Sequence, residues 1–213
     1  MEIARNMIEA LKRGPDGIDG ILSLYEIPQE FVDDKELFDA WWLPKTEIGD
    51  DGLYHIVEPA RISDEAKAQR LAMPPVHNLI TNLGISLILT NLSVASQGSM
   101  FPVTQIMSVG NGTCTGVLRT DTSVIGDVFV ATARKAPSTY YINGFLTTII
   151  VQFATTDAVG NWTNAGFYGY KVAGSQNAST TGGTGALMSH VLFPFTKSNS
   201  TAYSLNYAFL MGN

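Results

Sequence analysis

Apolar positions recur with two different periods along the chain. In the first 75 residues they follow helical spacing, in short pieces. Ile3, Met7, Ala10 and Leu11 share one face of a helix predicted over 2–13, which Gly14-Pro15 stops. Gly14, Gly17 and Gly20 space a turn, after which Ile21, Leu22 and Leu24 form a short apolar patch. Pro28 opens a second helix, in which Phe31, Phe38, Trp41 and Trp42 project to roughly one side; Pro44 and Gly49-Asp-Asp-Gly52 end it. A third helix starts at Ser63, with Asp64 and Glu65 in its first turn, and stops before Pro74-Pro75.

Beyond residue 75 the pattern changes. Leu79, Leu83 and Leu87 keep helical spacing and predict a helix over 78–92. After it come short β-branched runs separated by glycines. The predicted strands are 103–109, 127–133, 140–154, 165–172, 186–195 and 202–211, with alternation visible in Leu205, Tyr207 and Phe209 against Asn206 and Ala208. Asn143-Gly144 and Gly160-Asn161 read as hairpin or loop points, and 175–185 as a flexible loop. The fold class expected is mainly β: an antiparallel β-sandwich or jelly-roll-like body over 76–213, preceded by a charged, partly helical N-terminal arm over 1–75.

Charge follows the same division. Residues 1–75 hold 16 of the 19 acids and 8 of the 13 bases, whereas 76–213 hold 3 acids and 5 bases. No Asp, Glu, Lys or Arg occurs from Leu71 to Leu118. A net charge of −6 argues against nucleic acid as a partner, which calls for a basic face. The single cysteine, Cys114, excludes an internal disulfide framework and a Cys-rich metal site. The N-terminus lacks the basic-then-apolar order of a signal peptide, so the five Asn-x-Ser/Thr triplets read as by-products of composition. The apolar run 85–92 is too short to span a bilayer. The longer one, 136–156, contains Pro137 and Asn143-Gly144 and reads as a buried strand, so no membrane partner is expected.

Candidate chemistry is sparse. The acids of the body are Asp121, Asp127 and Asp157, its histidines His77 and His190, and no spacing among them makes an acid–base pair. Ser189 and His190 are neighbours in a predicted strand, so their side chains point to opposite faces, and His190 reads as a solvent-facing histidine. No nucleophile-elbow, zincin or P-loop motif occurs. Gly110-Asn-Gly112 lacks the lysine and helix of a phosphate loop and fits a turn at positive φ; Asp121 is placed to cap the segment after it. Asp50-Asp51 lacks the alternating oxygen ligands of a calcium loop and reads as a solvated turn. Tyr140, Tyr141, Trp162 and Tyr168 leave two readings open, a receptor- or sugar-binding face or ordinary core and interface aromatics. Phe31, Phe38, Trp41 and Trp42 would be buried against the chain's own body or against a neighbouring subunit. No catalytic residue, cofactor or metal ligand is assigned.

Three segments carry a family resemblance: Asn78-Leu-Ile-Thr-Asn-Leu-Gly84, Ile106-Met-Ser-Val-Gly-Asn-Gly-Thr113 and Thr120-Asp-Thr-Ser-Val124. Together they resemble a pattern of tailed-phage virion proteins, among them tail-collar and tail-fibre proteins and small accessory capsid proteins. The pattern runs "I-T-N-x-G", "G-x-G-T", "D-T-x-L" and then "E-x-x-R". Here Val124 stands where leucine is usual, Asp127 stands for the glutamate before Arg134, and 114–119 lacks the common proline. The resemblance implies a non-enzymatic structural protein of the virion, assembled in the host cytoplasm, with Gly110, Gly112 and Asp121 serving shape. A capsid decoration or cement protein, expected as a homotrimer on the major capsid protein, suits the short length. A tail, collar or fibre component, or a receptor-binding module, is the alternative.

Overall fold

The computed structural model describes residues 18–85, 104–127, 132–144, 146–169 and 185–211. The helix expected over 2–13 and the loop at 175–184 lie outside them. The fold is mainly β with antiparallel pairing, in keeping with the β-sandwich-like body expected. Its described strands and helices fall into two compact units.

The first unit comprises Met1–His77, Ser138–Thr155 and Asn199–Asn213, so the N-terminal segment shares a unit with strands from much later in the chain. Strand β1 (Ile18–Ile27) pairs along its whole length with β11 (Ala202–Met211); β8 (Leu146–Phe153) pairs with β11, and β7 (Thr139–Asn143) with β8. The patch at Ile21, Leu22 and Leu24 is therefore a strand, although no alternation announces one. All of Gly20–Leu24 is buried, so both faces of β1 are covered and its apolar residues run on without a polar face. The β7–β8 turn is the one expected at Asn143-Gly144, with Gly144 at φ +57°.

The helix expected after Pro28 is two helices, α1 (Glu30–Asp33) and α2 (Lys35–Trp42). Asp34 interrupts it in extended backbone and caps α2, its carboxylate accepting from Leu37 N–H at 3.0 Å. Phe31, Phe38 and Trp42 are buried together with Ile27, Ile62, Ile150 and Ala202. The Phe38 and Trp42 rings stack at 5.7 Å, and Phe31 meets Phe38 edge-on at 5.9 Å. Of the two burials open to these rings, the one seen is against the chain's own strands. Trp41 falls off that face and is 44% exposed. Helix α3 (Asp64–Gln69) has the expected start, with Ser63 Oγ accepting from Ala66 N–H at 3.2 Å. A separate hairpin, β2 (Lys45–Ile48) with β3 (Tyr54–Glu58), carries Asp50-Asp51 in its turn.

The second unit comprises Asn78–Pro137 and Thr156–Ser198. Its strands pair in the order β6 (Arg134–Lys135), β5 (Thr104–Gly110), β9 (Gly160–Gly169), β10 (Ala186–Lys197) and the Asn78–Ile80 end of β4 (Val76–Ile80). Strand β4 lies where a helix was expected. Asn78 and Ile80 are buried while Val76, His77 and Leu79 are not, and Ile80 pairs with Ser189. Helical backbone starts only at Asn82. The leucine spacing spans this boundary and so places the helix start too early, while 86–92 of the expected helix lie outside the described residues. The strand expected over 127–133 lies mostly outside the described residues; Asp127 bridges Gly110, and Arg134–Lys135 pairs with β5.

Candidate functional site

Among the described residues, a dense polar cluster lies inside the second unit, on β5, β9 and β10 and in the segment 118–127. His190 of β10 is 0% exposed. Its Nδ1 lies 2.6 Å from Asp121 Oδ2 and its Nε2 lies 2.9 Å from Asn164 Oδ1. The amide orientation of Asn164 is fixed independently: Oδ1 accepts from Ile125 N–H at 2.8 Å and Nδ2 donates to Ile125 carbonyl at 2.9 Å. Nε2 must therefore donate, and Nδ1 faces the Asp121 carboxylate. Burial opposes ionisation of Asp121. The Leu118 N–H bond at 2.8 Å and the His190 bond and charge outweigh that and hold the carboxyl below its usual range.

The solvent-facing histidine expected from strand alternation is thus a buried one. Ala186–Val191 of β10 is buried throughout, so both faces of the strand are covered there and alternation brings neither Ser189 nor His190 to solvent. Both ring nitrogens of His190 are engaged, which leaves neither to take a proton from a nucleophile. Asp121 bonds backward to Leu118 and across to His190, where the sequence reading had it capping the segment after it.

A second cluster gathers on Asp127. Its Oδ1 accepts from Ser108 Oγ at 2.6 Å; its Oδ2 accepts from Tyr168 OH at 2.9 Å and Arg134 Nη1 at 3.2 Å. Arg134 is 0% exposed and its guanidinium lies 4.8 Å from the Tyr168 ring centroid. Val124 N–H donates to Tyr168 OH at 2.7 Å. Burial first, and then the Asp127 charge, push the Tyr168 phenol far above its usual range.

The glycines between these clusters serve close approach. Gly110 and Gly112 are not at positive φ, contrary to the turn expected there. A Cβ on Gly110 would meet the Ile125 carbonyl, with Val124 Cγ1 at 2.6 Å; one on Gly112 would meet Ile125 Cγ2 at 2.8 Å. The positive φ, +72°, belongs to Gly126 across from them. Thr81 Oγ1 donates to the Leu187 carbonyl and accepts from Gly84 N–H at 3.0 Å, and Asn82 N–H donates to the Arg119 carbonyl at 2.8 Å. Segments 78–84, 106–113 and 120–124 and the Asp127–Arg134 pair therefore meet in one hydrogen-bonded frame. Sequence reading had missed His190, Asn164, Tyr168 and Ser108 as members of it.

The four aromatics grouped by sequence do not share one exposed face. Tyr140 (64% exposed) and half-buried Tyr141 lie on β7 in the first unit. Trp162 (4%) and Tyr168 (1%) lie on β9 in the second, too buried to stack a ligand across an open ring. In the β2–β3 turn, Asp51 bonds His55 Nε2 at 2.9 Å; that bond and the Leu53 N–H hold its carboxyl below the usual range. Among the described residues no three His, Cys, Asp or Glu side chains gather in a metal-binding group, and no helix is long and apolar enough to cross a membrane. The chain matches no protein-family model, no curated protein and no solved structure.

Proposed function

We propose that this chain is a non-enzymatic structural protein of a tailed-phage particle, acting as a capsid decoration or cement protein that docks, as a homotrimer, on neighbouring capsid subunits. The carrying observation is the β2–β3 hairpin. Its pairings put Thr46 opposite Ile56 and Ile48 opposite Tyr54 on one face, while Lys45, Glu47, His55 and Glu58 take the other. Ile48 is 62% exposed and Ile56 45%. A two-stranded ribbon with an uncovered apolar face gains most of its stability from whatever packs on it. The polar frame of the second unit fits the same reading, since its hydrogen bonds are spent on shape.

The test replaces Ile48 and Ile56 together by lysine. Both residues are exposed, so thermal stability should change by no more than about 0.5 kcal/mol while binding to shells stripped of the protein is lost. Undiminished binding would remove the hairpin as the docking element. Copy number per particle separates the cement reading, with hundreds of copies, from the tail or collar alternative, with few.

A further inference from the structure

A cavity of about 410 Å³ opens in the second unit beside the glycine frame. Its volume lies in the range of small-ligand pockets, about 300–1,000 Å³. Its described lining includes Asn111, Asn161, Thr132 and Thr156, with Trp162 and Ala158 behind them, and contains no Asp, Glu, Lys, Arg or His. The four amide and hydroxyl side chains are exposed. Asn161 Oδ1 accepts from Thr196 Oγ1 at 2.8 Å, which orients its Nδ2 as a free donor. Trp162 Nε1 donates to the Ala158 carbonyl at 2.7 Å, so the indole contributes wall and no polar contact. Asp157, between Thr156 and Ala158 in sequence, is neutralised by Lys135 Nζ at 2.7 Å.

The wall is also held at a conformational cost. Ala158 sits at φ +45°, the one non-glycine residue at positive φ among those described, and Gly160 follows at φ +124°. Backbone held in such a region tends to mark a site whose shape matters. Entry of a charged ligand would strip its hydration with no opposite charge to meet it. A ligand rich in neutral donors and acceptors meets amides and hydroxyls that offer both.

We propose that this cavity binds a short neutral saccharide, giving the protein a glycan-binding site in addition to, and independent of, docking through the β2–β3 hairpin. The experiment uses the full chain with saturation-transfer NMR and calorimetry. The probes are maltotriose, mannotriose and chitotriose, with sialyllactose and trigalacturonic acid as charged counterparts. Thr132→Trp and Thr156→Trp fill the cavity from exposed positions, and thermal unfolding checks that each variant is folded. At least one neutral trisaccharide should bind, more tightly than either acidic one, and each tryptophan should weaken it by about tenfold or more. Binding by none of the neutral probes, stronger binding of an acidic one, or affinity unchanged in both folded variants would overturn the proposal. The Ile48→Lys, Ile56→Lys chain should bind sugar like the wild type, so failure of the docking reading stays separate from failure of this one.

Discussion

Asp127→Ala tests the energetic centre of the second unit. The carboxylate holds three buried donors: Ser108 Oγ, Tyr168 OH and the Arg134 guanidinium, whose residues are 0%, 1% and 0% exposed. Removing one partner of a buried ion pair costs about 3–5 kcal/mol, because the remaining charge stays out of water. The two hydroxyls also lose their acceptor, although the Arg134–Tyr168 ring contact survives and offsets part of this. A loss of about 4 kcal/mol is expected, against a typical total of roughly 5–15 kcal/mol. Asp127→Ala combined with Arg134→Met removes both charges, and the loss should shrink to about 1–2 kcal/mol. Urea unfolding followed through the indole of Trp162 reports on this unit, since Trp41 and Trp42 both lie in the other. If Asp127→Ala costs less than about 1 kcal/mol, or if the two substitutions simply add, the charge pair is not what holds the cluster.

Two further outcomes follow from the same frame. The Asp121 carboxyl lies lower in the folded protein than in the unfolded chain, so its contribution is complete above the ordinary aspartate range, near pH 4 or about one unit above, and is lost as pH falls through the folded value. Asp121→Asn should therefore flatten the acid limb of stability measured between about pH 5 and pH 2; an unchanged limb would assign the acid loss elsewhere. Among the glycines, Gly126→Ala should cost about 3 kcal/mol, since φ +72° is unfavourable for alanine and its Cβ would run into the Gly112 backbone. Gly144→Ala, at φ +57° with open space around it, should cost only about 1 kcal/mol. Equal melting temperatures for the two variants would refute the steric account.

Much of the strand pattern was legible because local chemistry and tertiary pairing agree. The run 202–211 alternates and is bounded by polar residues, and β11 has those limits. Ser63-Asp-Glu reads as a helix start for reasons contained in four residues, and the structure keeps it. Where the reading failed, the deciding partner was far away in sequence. β1 is a strand because β11 lies beside it, and nothing within 18–27 says so; its leucines suit a helix as well. Leu79 and Leu83 belong to different elements that meet near Thr81, which a count of spacing merges. The polar frame was the least legible part. His190 can be buried because Asp121 and Asn164, 69 and 26 residues away, satisfy its nitrogens, and both faces of β10 are covered at that point, so alternation carries no information about exposure.

The pairing of β1 with β11 also sets an order of events during synthesis. Ile18 faces Met211, so β1 leaves the ribosome long before the strand it pairs with. The second unit, Asn78–Pro137 with Thr156–Ser198, ends just ahead of β11 (Ala202–Met211). Its folding can precede closure of the first unit, which holds Ile48 and Ile56. Until β11 emerges, β1 exposes an unpaired apolar edge, the kind of edge that recruits foreign strands. Chains arrested before residue 202 should accordingly be captured by chaperones and aggregate, whereas chains that include β11 withdraw that edge by pairing it.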